Sequence, residues 1–189
     1  MELLSIASLQ WLTGSDSNDY LETQSMESMN EAAIIKAFYN AFAQKEVEAM
    51  VALYHDDVIF RDPAFGTLRG EEAKNMWRML IARGGEKLQV TFDVVTAQGG
   101  EATAVWVAIY PYGPKKRPVI NRIAAHMTSR DGKIVAHHDA FDLWKWARMA
   151  LGPAGWLLGW SGWMHNKIQI MARSRLKAYC EKQASATNG

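Results

Sequence analysis

The sequence predicts an α+β domain, with N-terminal helices packed on a curved, mainly antiparallel sheet and a helical extension at the C-terminus. Three observations predict it. Apolar residues recur at helical spacing near the start of the chain. A long middle stretch then alternates with period two between turn-forming pairs. Helical spacing returns after it and persists to the end.

Each element has its own cause. Ile34, Ile35, Phe38 and Phe42 share one helical face behind Ser28-Met29-Asn30-Glu31, a capping-box pattern, and predict a first helix to about Ala43. Val47, Met50, Val51 and Tyr54 predict a second, short helix, broken at His55-Asp56-Asp57. Val58-Ile59-Phe60 is β-prone and runs into Asp62-Pro63, where proline disfavours helix at Asp62. Glu71 to Ala82 reads as a third helix, stopped by Gly84-Gly85. Residues 87–97, 101–110 and 118–129 read as long strands, turned by Gly99-Gly100 and by residues 111–118. Asp131-Gly132 is a hairpin signal into a fourth, Lys133 to Phe141. Helices follow over about 142–151 and from about Ser161 to Lys182, interrupted at Gly152-Pro153. Three helices cannot fill the concave side of such a sheet, so a mostly apolar pocket with a few polar groups is expected.

The organisation reads as a tail over 1–28 with a short docking helix at Leu3 to Leu12, a domain over 29–145, and a Trp-rich helical extension over 146–189 packed on that domain. The formal net charge of +1 gives no electrostatic reason to expect nucleic acid. Lys115-Lys116-Arg117 reads as a solvated hairpin tip. The single cysteine, Cys180, excludes an internal disulfide and a Cys-rich zinc site, and no metal or cofactor is expected. The N-terminus lacks the basic region of a secretory signal, and no apolar run is long enough to span a bilayer, so a cytoplasmic location is expected.

The stretch FYNAFAQKEVEAMVALYHDDVIFRDPAFGTLRGEEA resembles the opening of the nuclear transport factor 2-like superfamily, and DGKIVAHHDAFDLW resembles the last strand of its epoxide hydrolase and SnoaL-like branches. The resemblance covers roughly residues 30–145 and implies a cone-shaped fold. By resemblance to ketosteroid isomerase, Asp62 stands at the general base, but Phe38 and Ala125 stand where that enzyme needs a tyrosine and a protonated aspartate. Neither can donate to an oxyanion. By resemblance to limonene epoxide hydrolase, Asp139 matches the final aspartate of the relay, while Phe60, Asp62, Trp106 and Ala108 replace its other members. Steroid isomerisation and epoxide hydrolysis by those mechanisms are therefore not expected. The resemblance leaves two carboxylates, Asp62 and Asp139, facing one apolar pocket. Like charge and poor solvation then raise the pKa of at least one of them, which suits a general acid beside a general base.

Strand alternation adds a wall. If Asp139 points inward, so do His137 and Phe141, while His138 and Ala140 point out. The same parity puts Trp106, Ala108, Tyr110, Asn121, Ile123 and Ala125 inside. The candidate catalytic residues are Asp62, Asp139 and His137, and the candidate pocket residues are Phe38, Phe60, Trp106, Tyr110, Asn121 and Phe141. Each has a plainer reading: a turn at Asp62, an ion-pair or amide partner at Asp139, a structural histidine, ordinary core aromatics. Asp142 reads as a helix cap.

The expectation is an isomerase-, cyclase- or hydrolase-like enzyme acting on a small apolar molecule, and a homodimer; the alternative is a non-catalytic ligand-binding or dimerisation module. Trp144, Trp146, Trp156, Trp160 and Trp163 crowd the extension. They flank a Gly-Pro break instead of lining one helical face, so a strap docked on the body or on a twin is expected ahead of membrane contact.

Overall fold

The computed structural model describes residues 32–187. The tail over 1–28, its Leu3–Leu12 helix and the capping box at Ser28–Glu31 lie outside the described residues. Helix α1 covers 32–44 and buries Ile34, Ile35, Phe38, Tyr39 and Phe42, the stripe its spacing predicts. It ends at Lys45, which takes a positive φ of 63°. Helix α2 is Val47–Ala52. Tyr54 does not extend it. Instead it opens β1, Tyr54–Asp62, in which Tyr54, Val58 and Phe60 are buried. A tight hairpin leads to β2, Gly66–Arg69, an element the sequence reading did not contain. Helix α3, Gly70–Gly84, buries Met76 and Trp77; at its first residue a side chain would strike the Asp56 carbonyl, which leaves room only for glycine.

The long strands are β3 (Gln89–Gln98), β4 (Glu101–Tyr112), β5 (Arg117–Arg130) and β6 (Lys133–Ala140). Asp131 and Gly132 both take positive φ, 51° and 74°, as a two-residue hairpin turn requires. The sheet order is β2-β1-β6-β5-β4-β3. β1 pairs parallel with β6, and every other pairing is antiparallel. The parallel pairing sets Phe60 opposite His137, and so carries the end of β1 to the middle of the concave face.

Helix α4 (Leu143–Leu151) is capped by Asp142, whose side chain accepts the Lys145 amide at 2.8 Å. Helices α5 (Pro153–Leu158) and α6 (Gly162–Thr187) complete the extension. The expected strap docks only at its two ends. Trp146, Met164, Ile168 and Leu176 are buried, whereas Trp156, Trp160 and Trp163 are 62%, 66% and 55% exposed. Glycine explains the standing-off. A Cβ on Gly155 would collide with the Ala147 carbonyl, so α5 crosses α4 backbone to backbone. The helix buries Gly155 and leaves Trp156, Leu157 and Leu158 exposed.

Candidate functional site

The concave face of the sheet carries a cavity of about 400 Å³. The sheet contributes Phe60, Asp62, Trp106, Ala108, Tyr110, Asn121, Ile123 and Asp139, and Phe141 follows just after β6. Helix α3 adds Met76, Trp77 and Met79. Helix α6 closes it with Ile168, Met171, Ala172 and Arg175, residues the sequence reading left outside the site. Aromatic and aliphatic walls dominate, and the two carboxylates share the space.

Asp62 ends β1 where the chain turns into β2, opposite Gly66. Its Oδ1 accepts the Phe65 amide, so it is a turn residue and a cavity residue together. Asp62 is half-buried and lines the cavity. Burial pushes its carboxyl up to about 7; the Asp139 charge adds to this, and the Phe65, Ala64 and Gly66 amides pull the other way.

Asp139 is the penultimate residue of β6 and stands opposite Ala125. Small residues at Ala125 and Ala104, paired on the next strand, leave room above the sheet. The Trp106 indole fills it and donates Nε1–H to Asp139 Oδ1 at 3.1 Å. His137 Nε2 meets the same oxygen at 3.0 Å. Behind it, Tyr54 Oη lies 2.6 Å from His137 Nδ1 and accepts Trp77 Nε1–H at 2.8 Å. A carboxylate only accepts, so His137 Nε2 carries a proton. Nδ1 then faces the Tyr54 hydroxyl, and every member of the chain has a partner. Both donors fall on Oδ1, which leaves Oδ2 for whatever enters the cavity.

Tyr110 is a further polar group on the wall, with Asn121 and Arg175. Trp146 Nε1–H donates to its oxygen at 2.9 Å, and burial pushes the phenol up to about 12, with neighbouring Tyr112 and Asp62 adding to the shift. It remains a phenol at neutral pH, with its O–H left to donate. Among the described residues, Tyr39 Oη is the one buried side-chain polar atom with no hydrogen-bond partner; its ring stacks on Phe92 at 5.2 Å, behind Trp106. No cluster of three or more His, Cys, Asp or Glu among the described residues is arranged to hold a metal ion.

A family model described as a SnoaL-like domain matches residues 35–137. The chain belongs to that family. A search of curated proteins finds no match. Among solved structures, an NTF2-like protein of Burkholderia xenovorans is 21% identical, with a TM-score of 0.54 over 66% of this chain and 98% of that one. An LEH-like epoxide hydrolase of M. tuberculosis is 20% identical, with a TM-score of 0.53 over 71% and 99%. A protein with a ketosteroid isomerase-like fold from Catenulispora acidiphila, solved with trimethylamine, is 23% identical, with a TM-score of 0.55 over 65% and 95%. At these identities the likeness carries the fold alone.

Within this SnoaL-like domain, seven of the nine candidate residues line the cavity: Asp62, Asp139, Phe60, Trp106, Tyr110, Asn121 and Phe141. Phe38 and His137 do not. Phe38 lies on the α1 stripe that meets Tyr54 and Trp77, with ring centroids 5.2 Å and 5.8 Å away. His137 points inward as its parity requires, but Trp77 stacks over it at 5.9 Å and Phe60 abuts its edge. It therefore stands behind Asp139, in the position of a positioning residue. Sequence reasoning missed Tyr54 and Trp77, which complete that chain. The available signal was the period-two placement of Tyr54, Val58, Phe60 and Asp62, hidden by the polar run between them.

Proposed function

We propose that the cavity binds an apolar, ring-bearing small molecule and moves a proton on it, with Asp139 as general base and Asp62 as general acid. The observation that supports this is the contrast between two carboxyl groups on one cavity. Asp62 is pushed up to about 7 by burial, with no cationic side chain among its bonded partners. Asp139 accepts two N–H donors, the arrangement of a carboxylate. Paired carboxyl groups in contrasting settings divide acid and base roles between them.

In this reading Asp139 Oδ2 takes a proton from substrate carbon or from a water attacking it. Trp106 and His137 hold Oδ1 throughout, and Tyr54 fixes the imidazole tautomer. Asp62 gives its proton to the oxygen on which charge develops, and Tyr110 O–H donates to the same region. The proton gained by Asp139 and the one lost by Asp62 leave the total unchanged. Exchange through solvent resets the pair.

The test is incorporation of solvent deuterium into a panel of cyclic ketones, followed by proton NMR. Wild-type protein should catalyse exchange on part of the panel, and Asp139→Asn should lose about 10²–10⁴-fold of that rate. Exchange that survives Asp139→Asn and Asp62→Asn at the wild-type rate would remove both residues from the chemistry.

A further inference from the structure

We propose that this protein docks on anionic lipid surfaces through α5 and the start of α6. Within eight residues, Trp156, Leu157, Leu158, Trp160 and Trp163 present large apolar side chains to solvent, with Leu157 73% exposed. A soluble domain rarely leaves so contiguous an apolar patch uncovered without a partner. The patch is ringed by cations held on the tryptophans themselves. The Arg148 guanidinium lies 4.5 Å from the Trp144 ring and 5.4 Å from the Trp156 ring, and Lys167 Nζ lies 4.5 Å from the Trp163 ring.

The charge of this stretch is one-sided. Residues 143–180 contain Lys145, Arg148, Lys167, Arg173, Arg175 and Lys177, and not one Asp or Glu. Arg173 and Arg175 are engaged within the fold and Lys177 pairs with Glu181, which leaves Lys145, Arg148 and Lys167 beside the patch. Tryptophan and leucine among such cations suit the headgroup–acyl boundary of an anionic leaflet, where rings sit at the interface and cations meet phosphates. A second copy of the chain fits this face less well. A two-fold contact would set Lys145, Arg148 and Lys167 against themselves, with no acid in the stretch to pair them. The outer face of the sheet offers self-association a better surface, since Ile109 and Ile120 are exposed opposite each other on β4 and β5.

Helix α6 links this face to the cavity. Trp163, Lys167 and Ile170 face solvent along one stripe, while Ile168, Met171 and Arg175 line the cavity on another. Docking would thus hold the cavity wall about 10 Å from the lipid surface, one helix diameter. A short path for an apolar ligand out of the leaflet follows, and that consequence alone rests on the proposed function.

The experiment is co-sedimentation of the full chain with vesicles of phosphatidylcholine, and with vesicles of equimolar phosphatidylcholine and phosphatidylglycerol. The expected result is capture by the anionic vesicles, at least about tenfold weaker capture by the neutral ones, and release by salt. Combined Trp156→Ser, Trp160→Ser and Trp163→Ser should lower capture at least about tenfold, as should combined Lys145→Glu and Lys167→Glu, which leaves the apolar side chains in place. Tryptophan emission should shift to the blue only with anionic vesicles. A chain that stays in the supernatant, or a triple variant captured like wild type, would overturn the proposal. So would a dimer that the triple variant dissolves, which would give the face to a second copy. Capture seen only after Asp16, Asp19 and Glu22 are neutralised would overturn it too, and give the face to the acidic N-terminal stretch.

Discussion

Asp62 concentrates the residue-scale physics. Its folded carboxyl is raised to about 7 against an ordinary value of 3.8. Between those values the folded state binds more proton than the unfolded state, so stability falls as pH rises from about 4 to about 7. Above that window both states are ionised, and the folded state bears the burial cost in full. Asp62→Asn keeps an acceptor for the Phe65 amide and removes the charge. Urea denaturation should show the variant more stable than wild type at pH 8, by a few kcal/mol at most, and similar to it near pH 4. A variant that loses stability equally at both pH values would place the role of Asp62 in the turn alone. Tyr39 is the counterpoint at this scale. A buried hydroxyl without a partner costs about 1–3 kcal/mol.

At the scale of elements, α6 decides whether the cavity exists. Arg173 clamps it to the β1–β2 turn, donating to the Phe65 carbonyl at 2.8 Å and the Thr67 carbonyl at 2.6 Å. Gln169 adds a bond to the Pro63 carbonyl at 3.1 Å. The three acceptors lie in the turn and strand that directly follow Asp62. Leu176, buried to 1%, anchors the same helix in the core. Leu176→Ala should cost about 2–5 kcal/mol in urea denaturation. Ending the chain at Leu151 removes Met164, Ile168 and Leu176 from the apolar clusters and should give an aggregating protein by size exclusion. A soluble, folded, monomeric truncation would show that the extension is an ornament. The long strands and their parity were legible in the sequence, because a half-buried strand writes its alternation into residues such as Trp106, Ala108 and Tyr110. β2 was not legible, since four residues after a proline turn carry too little pattern. Nor was the part of α6 in the cavity wall, because which neighbour a helical stripe meets is a tertiary fact.

At the scale of the molecule, a net charge of +1 conceals a strong separation. Residues 1–31 hold six acidic and no basic residues, and residues 143–180 hold six basic and no acidic ones. Summed composition gave no reason to expect an anionic partner; the local sums do. The site shows the same lesson. Asp62 and Asp139 stand 77 positions apart in sequence, and the parallel pairing of β1 with β6 brings their strands side by side. Parity supplied their direction, and family resemblance supplied their company. The Trp77–Tyr54–His137–Asp139 chain needed the fold. No helix among the described residues is long and apolar enough to cross a membrane, so the lipid contact proposed for α5 is a surface one.

Two carboxyl groups line one apolar cavity, and burial raises the one on Asp62 to about 7. Carbon-13 NMR of protein labelled at the aspartate carboxyl carbons measures this without a substrate, with Asp62 assigned by its loss in Asp62→Asn. The Asp62 resonance should titrate at about 7 and move to lower pH in Asp139→Asn, where the neighbouring charge is gone. An Asp62 resonance titrating in the ordinary carboxylate range near 4, and unmoved by Asp139→Asn, would contradict the claim.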